Sequence, residues 1–315
     1  MDIIQKLREN NIKILSIIGL SKNCGKTTTL NKLIELLEKE NKKVCITSIG
    51  IDGESFDHLF LFEKPKIHLK ENFYVVTSIE SIKDKNLEFF ILKKFGIYTS
   101  KGELILIKLE KEGDVEVSGP YIGKDLQRVL DELNEFNFDI ILIDGAIDRK
   151  VSIKYSDGII LQTGLNIIDK KEEIVEETVF YKEIFSLPEI YDEIKDRIRK
   201  KINEKQLKKI NKLEDDFVFI NGALTDSILE ELINENIKKV IVEHPYNIFI
   251  SKKKFYDFKK LDGEIYVLKK VNLLGISFSS FYQEGFFNLD DEIEIFNTLK
   301  EKLKPFEIFD PIKGR

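Results

Sequence analysis

The sequence predicts an α/β fold, a mostly parallel sheet flanked by helices, and three observations predict it. A strand-like apolar run from Ile12 to Ile18 is followed by a helical pattern and a second apolar run, Lys43 to Ile49. A later run, Ile140 to Ile143, reads as a strand that ends on Asp144. Short apolar segments then keep alternating with helical ones to the end of the chain. Strands that are apolar on both faces need helices on both faces, the arrangement of parallel sheets.

Each element has its own signal. Thr28 to Lys39 places Leu30, Leu33, Ile34, Leu36 and Leu37 at helical spacing. Lys64-Pro65-Lys66 breaks the periodicity, and Phe73 to Thr77 reads as the next strand. Glu103 to Lys108 and Asp114 to Ser118 read either as a hairpin around Glu112-Gly113 or as two separate edge strands. Gly119-Pro120 punctuates the chain before a helix near Lys124 to Asn134. After Ile140 to Ile143, Gly158 to Gln162 supplies another strand. Asp169 to Leu213 is strongly charged and mostly helical in pattern, as expected of a solvated helix pair packed on a sheet, with a partner-binding arm or a nucleic-acid contact as the alternatives. Strands resume at Asp216 to Ile220, Lys239 to Val242, Glu264 to Leu268 and Leu273 to Ser277. A helix over Asp290 to Leu303 and a short strand at Phe306 to Phe309 complete the order. The expected organisation is a core over residues 1–167, a charged helical segment over 168–213, and an α/β part over 214–315 continuing the same sheet.

Composition narrows the class. The chain has 315 residues, 42% hydrophobic and 34% charged, ordinary values for a globular protein. Its 50 Lys and Arg against 56 Asp and Glu leave a net charge of -6, which argues against nonspecific binding to nucleic acid. The two cysteines, Cys24 and Cys45, suggest neither a disulfide framework nor a thiolate metal cluster. The three histidines, His58, His68 and His244, share no ligand-like spacing, which argues against structural zinc. Charges interrupt MDIIQKLREN where a signal peptide needs an apolar run, and no apolar stretch is long enough to span a bilayer. A cytoplasmic protein without a membrane partner is the expectation.

The chemistry is concentrated at Gly19-Leu-Ser-Lys-Asn-Cys-Gly-Lys-Thr27, between a strand and a helix. A loop in that position aims backbone N–H groups at phosphate, and the helix N-terminus adds its dipole. Gly19, Ser21, Lys22, Asn23, Cys24, Gly25, Lys26, Thr27 and Thr28 are the candidate phosphate-binding residues. Lys26 would reach the outer phosphates, and Thr27 would place its hydroxyl on Mg²⁺. Five residues separate Gly19 from Gly25 where the standard spacing has four, and Leu20 stands where that spacing wants glycine.

Asp144 ends a strand of the kind whose carboxyl edge carries ligands, so it is a candidate Mg²⁺ ligand, directly or through water; a helix cap or turn is the bland alternative. Asp52, after KVCITSIG, could order water or metal-bound water opposite the terminal phosphate, or simply make a turn. Lys26, Asp52 and Asp144 are therefore the candidate catalytic groups, and Thr27, Asp52 and Asp144 the candidate metal ligands. Lys22 either neutralises phosphate charge, within its own site or across a dimer interface, or points to solvent. Arg149 reads either as an arginine finger or as part of a local ion pair or solvent-facing loop. Asn221, in FVFINGAL, could read a base through its paired amide groups or cap the following turn. Cys24 sits near lysines and a helix N-terminus, which lower a thiol's pKa, but no base accompanies it as in a nucleophilic pair.

These residues resemble the dethiobiotin-synthetase-like and cobyrinate-amidase-like branch of P-loop proteins, whose loop also has five residues before GK[ST]. The resemblance rests on Gly19 to Thr28, Asp52 and Asp144, with Asn221 matching the family's late-strand Asn. It implies a P-loop nucleoside triphosphate hydrolase fold, ATP and Mg²⁺ as cofactors, Asn221 as an adenine reader, and a homodimer. The familiar dethiobiotin substrate pattern and a glutaminase Cys-His pair are both missing, and Lys22-Asn-Cys-Gly-Lys-Thr27 differs from the signature-lysine opening of the related partition ATPases. TSIGIDGESFD, LIDGAIDR and SDGIILQTG further resemble an ATPase group associated with amino-acid mutase reactivation. The expected function is Mg²⁺-dependent ATP hydrolysis coupled to a conformational change or to a client protein. ATP-dependent activation of a small carboxylate, with that molecule as acceptor, and a nucleotide-dependent binding module are the alternatives.

Overall fold

The computed structural model describes residues 3–21, 24–49, 56–57, 60–63, 67–82, 87–146, 151–165, 170–203, 208–213, 216–280 and 287–314. The chain divides into two units, one formed by Met1–Thr178 with Leu273–Arg315, the other by Val179–Asn272.

The first unit is built on a nine-stranded sheet. Its order is Ile308–Phe309, Leu273–Ser279, Gly158–Gly164, Ile14–Gly19, Ile140–Ala146, Val44–Ser48, Tyr74–Ser78, Gly102–Leu109 and Phe89–Thr99. Neighbours are parallel from the first of these strands through Tyr74–Ser78, and the last two are antiparallel. The sheet is thus mostly parallel, as expected. Gly113–Val115 pairs with Ile67–Leu69 rather than with Gly102–Leu109, so the two segments are separate strands and not a hairpin.

Alternate residues of the central strands enter two different cores. Leu15, Ile17, Val44, Ile46, Ile140 and Leu142 pack with Leu30, Leu33, Ile34 and Leu37 of the Lys26–Lys39 helix. Cys45, Val76, Ile141 and Ile143 pack on the other face with Leu126, Val129, Leu130 and Leu133 of the Gly123–Leu133 helix. This period-two division explains why the strands read as continuous apolar runs: both faces are covered.

Chain order fixes where a ligand can enter. From Ile14–Gly19 the chain moves to Val44–Ser48 and Tyr74–Ser78 on one side, then later to Gly158–Gly164 and Leu273–Ser279 on the other. The direction of winding reverses about the first strand, and open α/β sheets hold ligands at the carboxyl ends of strands beside such a reversal.

The second unit has its own four-stranded sheet, Ile210–Lys212, Phe217–Ile220, Lys239–Val242 and Glu264–Val267 in that order, the first antiparallel and the rest parallel. Ile190, Ile194 and Ile198 cover it against Phe217, Phe219 and Ile241, so the charged Asp192–Asn203 helix has one apolar stripe on a sheet. The expected 214–315 segment therefore divides: strands up to Val267 form this smaller sheet, and Leu273–Ser279 with Ile308–Phe309 lie in the large one.

Candidate functional site

The Lys26–Lys39 helix starts at the carboxyl edge of the large sheet, directly after Gly25. Gly25 has φ 96° and ψ 18°, a left-handed conformation that a side chain disfavours. Among the described residues no side chain caps this helix end, and no carboxylate lies in its first turn. Its first-turn N–H groups, which helix geometry leaves without intrahelical acceptors, and its dipole both favour an anion here.

The extra residue in the motif has a structural use. Leu20 is buried, and its N–H donates to the carbonyl of Gln162 at 3.0 Å. That bond closes the last pair of the parallel ladder, Gly19 with Gln162, so the strand ends at Gly19 and Leu20 is the first residue of the loop, tied back to the sheet edge. The extra residue is thus held at the base of the loop, its side chain buried and its N–H on the neighbouring strand.

Gly19 is where Lys26 passes. A Cβ there would lie 2.7 Å from Lys26 Cδ, 2.8 Å from its Cγ and 2.6 Å from Cys24 Sγ. Any side chain at position 19 would displace the stem that carries the Lys26 ammonium. Cys24 fills the inside of the loop: it is fully buried, and the backbone N–H groups of Ser21 and Cys24 face its sulfur. Burial pushes the Cys24 thiol up, the Lys26 ammonium pulls it back, and the Asp144 carboxylate pushes it up again. The pKa-lowering surroundings expected from sequence are present but outweighed by burial, so Cys24 is a packing residue and a poor nucleophile.

Asp144 is 7% exposed. It sits on the Ile140–Ala146 strand opposite Ile17, next to the strand that leads into the loop. Register and the shared action on Cys24 place Asp144 and Lys26 about one small site. Thr27 and Thr28 are half-buried in the first helical turn. The structure thus groups Gly19, Ser21, Lys26 and Asp144 around Cys24, and sets Gly25, Thr27 and Thr28 at the start of the helix that carries Lys26. Lys22, Asn23, Asp52 and Arg149 lie outside the described residues. Asn221 is exposed at the end of Phe217–Ile220 in the second unit, with its N–H donated to the Lys209 carbonyl at 2.9 Å.

Sequence reasoning missed the layer beneath the loop. Gln162 is fully buried, and its Nε2 donates to the carbonyls of Cys24 at 2.8 Å and Thr163 at 2.7 Å. Its Oε1 accepts from Thr29 Oγ1, and Thr29 shares a second hydrogen bond of 2.7 Å with Ser277 Oγ. Ser279, from the next strand, lies against Gly25: a Cβ on Gly25 would come within 2.5 Å of Ser279 Cβ. A glutamine inside the apolar run GIILQTG was the available signal, since a buried amide needs specific partners.

No protein-family model and no curated protein matches the chain. Among solved structures, a MinC:MinD cell division protein complex of Aquifex aeolicus overlaps at 12% identity and a TM-score of 0.30, over 92% of this chain and 93% of that one. A structure of pNOB8 ParA bound to nonspecific DNA overlaps at 15% identity and a TM-score of 0.26, over 92% and 96%. Likeness at these TM-scores carries no argument about this chain, and the sheet order and loop geometry above are the grounds for the P-loop reading.

Proposed function

We propose that this protein binds ATP with Mg²⁺ at the carboxyl edge of its large sheet and hydrolyses it, and that the cycle changes its conformation or its association with a partner protein. One observation carries this reading: an uncapped helix N-terminus, entered through left-handed Gly25, stands beside Lys26 and the buried Asp144 at a reversal in sheet winding.

The donor set fits Mg²⁺ better than a metal held by protein alone. Among the described residues no group of three or more His, Cys, Asp or Glu is placed to hold a metal. A carboxylate and a hydroxyl, Asp144 and Thr27, suit a hard cation that completes its shell with phosphate oxygens and water. When bound, Mg²⁺ would neutralise charge on the phosphate oxygens. Lys26 binds the outer phosphates, the loop and helix N–H groups orient them, and Asp144 and Thr27 hold the metal side. Asp52 is the candidate for orienting the attacking water. Asn221 is the candidate adenine reader, and a homodimer is the proposed assembly.

Direct binding and turnover measurements test this. Purified protein should bind ATP more tightly with Mg²⁺ than with a chelator and release phosphate, and Lys26→Ala should lose both. A parent protein that neither binds nor hydrolyses ATP ends the proposal.

A further inference from the structure

A layer of buried polar groups lies under the phosphate loop, and its central member has one forced orientation. The Gln162 amide faces the carbonyl oxygens of Cys24 and Thr163, which only accept, so Nε2 must point at them. The remaining oxygen then takes the Thr29 hydroxyl, which Ser277 also holds. Through its backbone carbonyl Gln162 also binds Leu20 N–H. One residue thus grips the start of the loop, its last bend and the first turn of the helix.

That grip has a directional consequence. The Cys24 carbonyl and the Gly25 N–H belong to one planar trans peptide and point opposite ways. Holding the carbonyl down on Gln162 aims the Gly25 N–H up, away from the strands and into the loop. We propose, resting on the ATP reading of the loop, that Gln162 is a positioning residue that sets the Gly25 N–H as a donor to the bound phosphates. Thr29 locks the amide in the working orientation. Gly25 itself cannot carry a side chain without meeting Ser279, so the loop makes its last bend on a residue without one. A fixed donor gives up no reorientation when phosphate arrives, which is how preorganised N–H groups act on anions.

Glycine amides make this testable, because Cys24-Gly25 is the one Cys-Gly step in the sequence. Labelling the full chain with carbonyl-¹³C cysteine and ¹⁵N glycine therefore isolates the Gly25 amide. In the parent, Mg²⁺-ATP should move that proton downfield, the mark of an N–H donated to an anion. Gln162→Met keeps the length of the side chain and removes its hydrogen bonds. It should weaken ATP binding by about tenfold, the loss of one charge-assisted hydrogen bond, and the saturated complex should lack the shift. Thr29→Val, which takes the hydrogen bond from the Gln162 oxygen and loosens the amide, should act in the same direction more weakly and serves if the methionine variant does not fold. Variants that melt earlier yet show the parental shift at saturation would make Gln162 merely structural and overturn the assignment. A parent that binds ATP with an unmoved Gly25 amide overturns it too. A parent that binds neither ATP nor inorganic triphosphate overturns the ATP reading itself.

Discussion

Replacing Gly25 with alanine loads two separate strains onto one atom. The backbone stands at φ 96°, where an L-residue costs about 1–2 kcal/mol. The new Cβ would also lie 2.5 Å from Ser279 Cβ and 2.7 Å from its Oγ, closer than such atoms approach. Ser279 is buried at the end of the second strand of the sheet, against Gly164, and has little room to retreat, so overpacking adds about 1–3 kcal/mol. The sum, about 2–5 kcal/mol, is a large share of a typical domain's stability. Urea unfolding of the parent, Gly25→Ala, Ser279→Gly and the double variant separates the two causes. Ser279→Gly removes the steric part only, so the double variant should regain about 1–3 kcal/mol and retain the backbone part. ATP affinity should fall in Gly25→Ala wherever the loop yields instead of the fold. A Gly25→Ala protein with parental stability and parental ATP affinity would refute this account of the loop.

Three further outcomes are expected. Asp144→Asn should leave ATP binding in chelator unchanged while the gain from Mg²⁺ falls about 10–100-fold, as titrations with and without the metal would show; an unaltered Mg²⁺ response would remove Asp144 from the metal site. Cys24 and Cys45 are both fully buried with thiols pushed up by burial, so the native protein at pH 8 should react slowly with a thiol reagent and quickly in urea. The sign for stability follows: the folded state keeps these protons, so their contribution is whole below the ordinary thiol value of 9.0 and is lost as pH rises beyond it. Asn221→Ala should weaken ATP without changing affinity for inorganic triphosphate; equal losses for both would discard its role as a base reader.

Much of the fold was legible because parallel strands buried on both faces read as apolar runs, and Ile140 to Ile143 ahead of Asp144 is such a run. The loop was legible because glycine, lysine and threonine at fixed spacing answer needs that few residues meet. The Phe89–Thr99 edge strand was not: Phe90, Ile91 and Leu92 are all exposed, and register shifts near Leu92 and beyond Lys94 remove the alternation that marks a strand. The limits of the second unit were hidden for a different reason. Its start falls inside the Lys171–Phe185 helix and its end lies between two strands, with no shift in composition to announce either. The Gln162–Thr29 contact spans 133 residues, a pairing that local pattern does not contain. Leu20 departs from the standard spacing, and its use, a buried residue whose N–H is held by the Gln162 carbonyl, depends on a strand far along the chain.

The most direct test is a structure of the full chain with a nonhydrolysable ATP analogue and Mg²⁺. The triphosphate should lie against Gly19 to Thr28, with Lys26 Nζ on the outer phosphate, the metal between Thr27 and the Asp144 side, and the Gly25 N–H on a phosphate oxygen. A nucleotide bound elsewhere on the chain, or a loop left empty at saturating analogue, would contradict this reading.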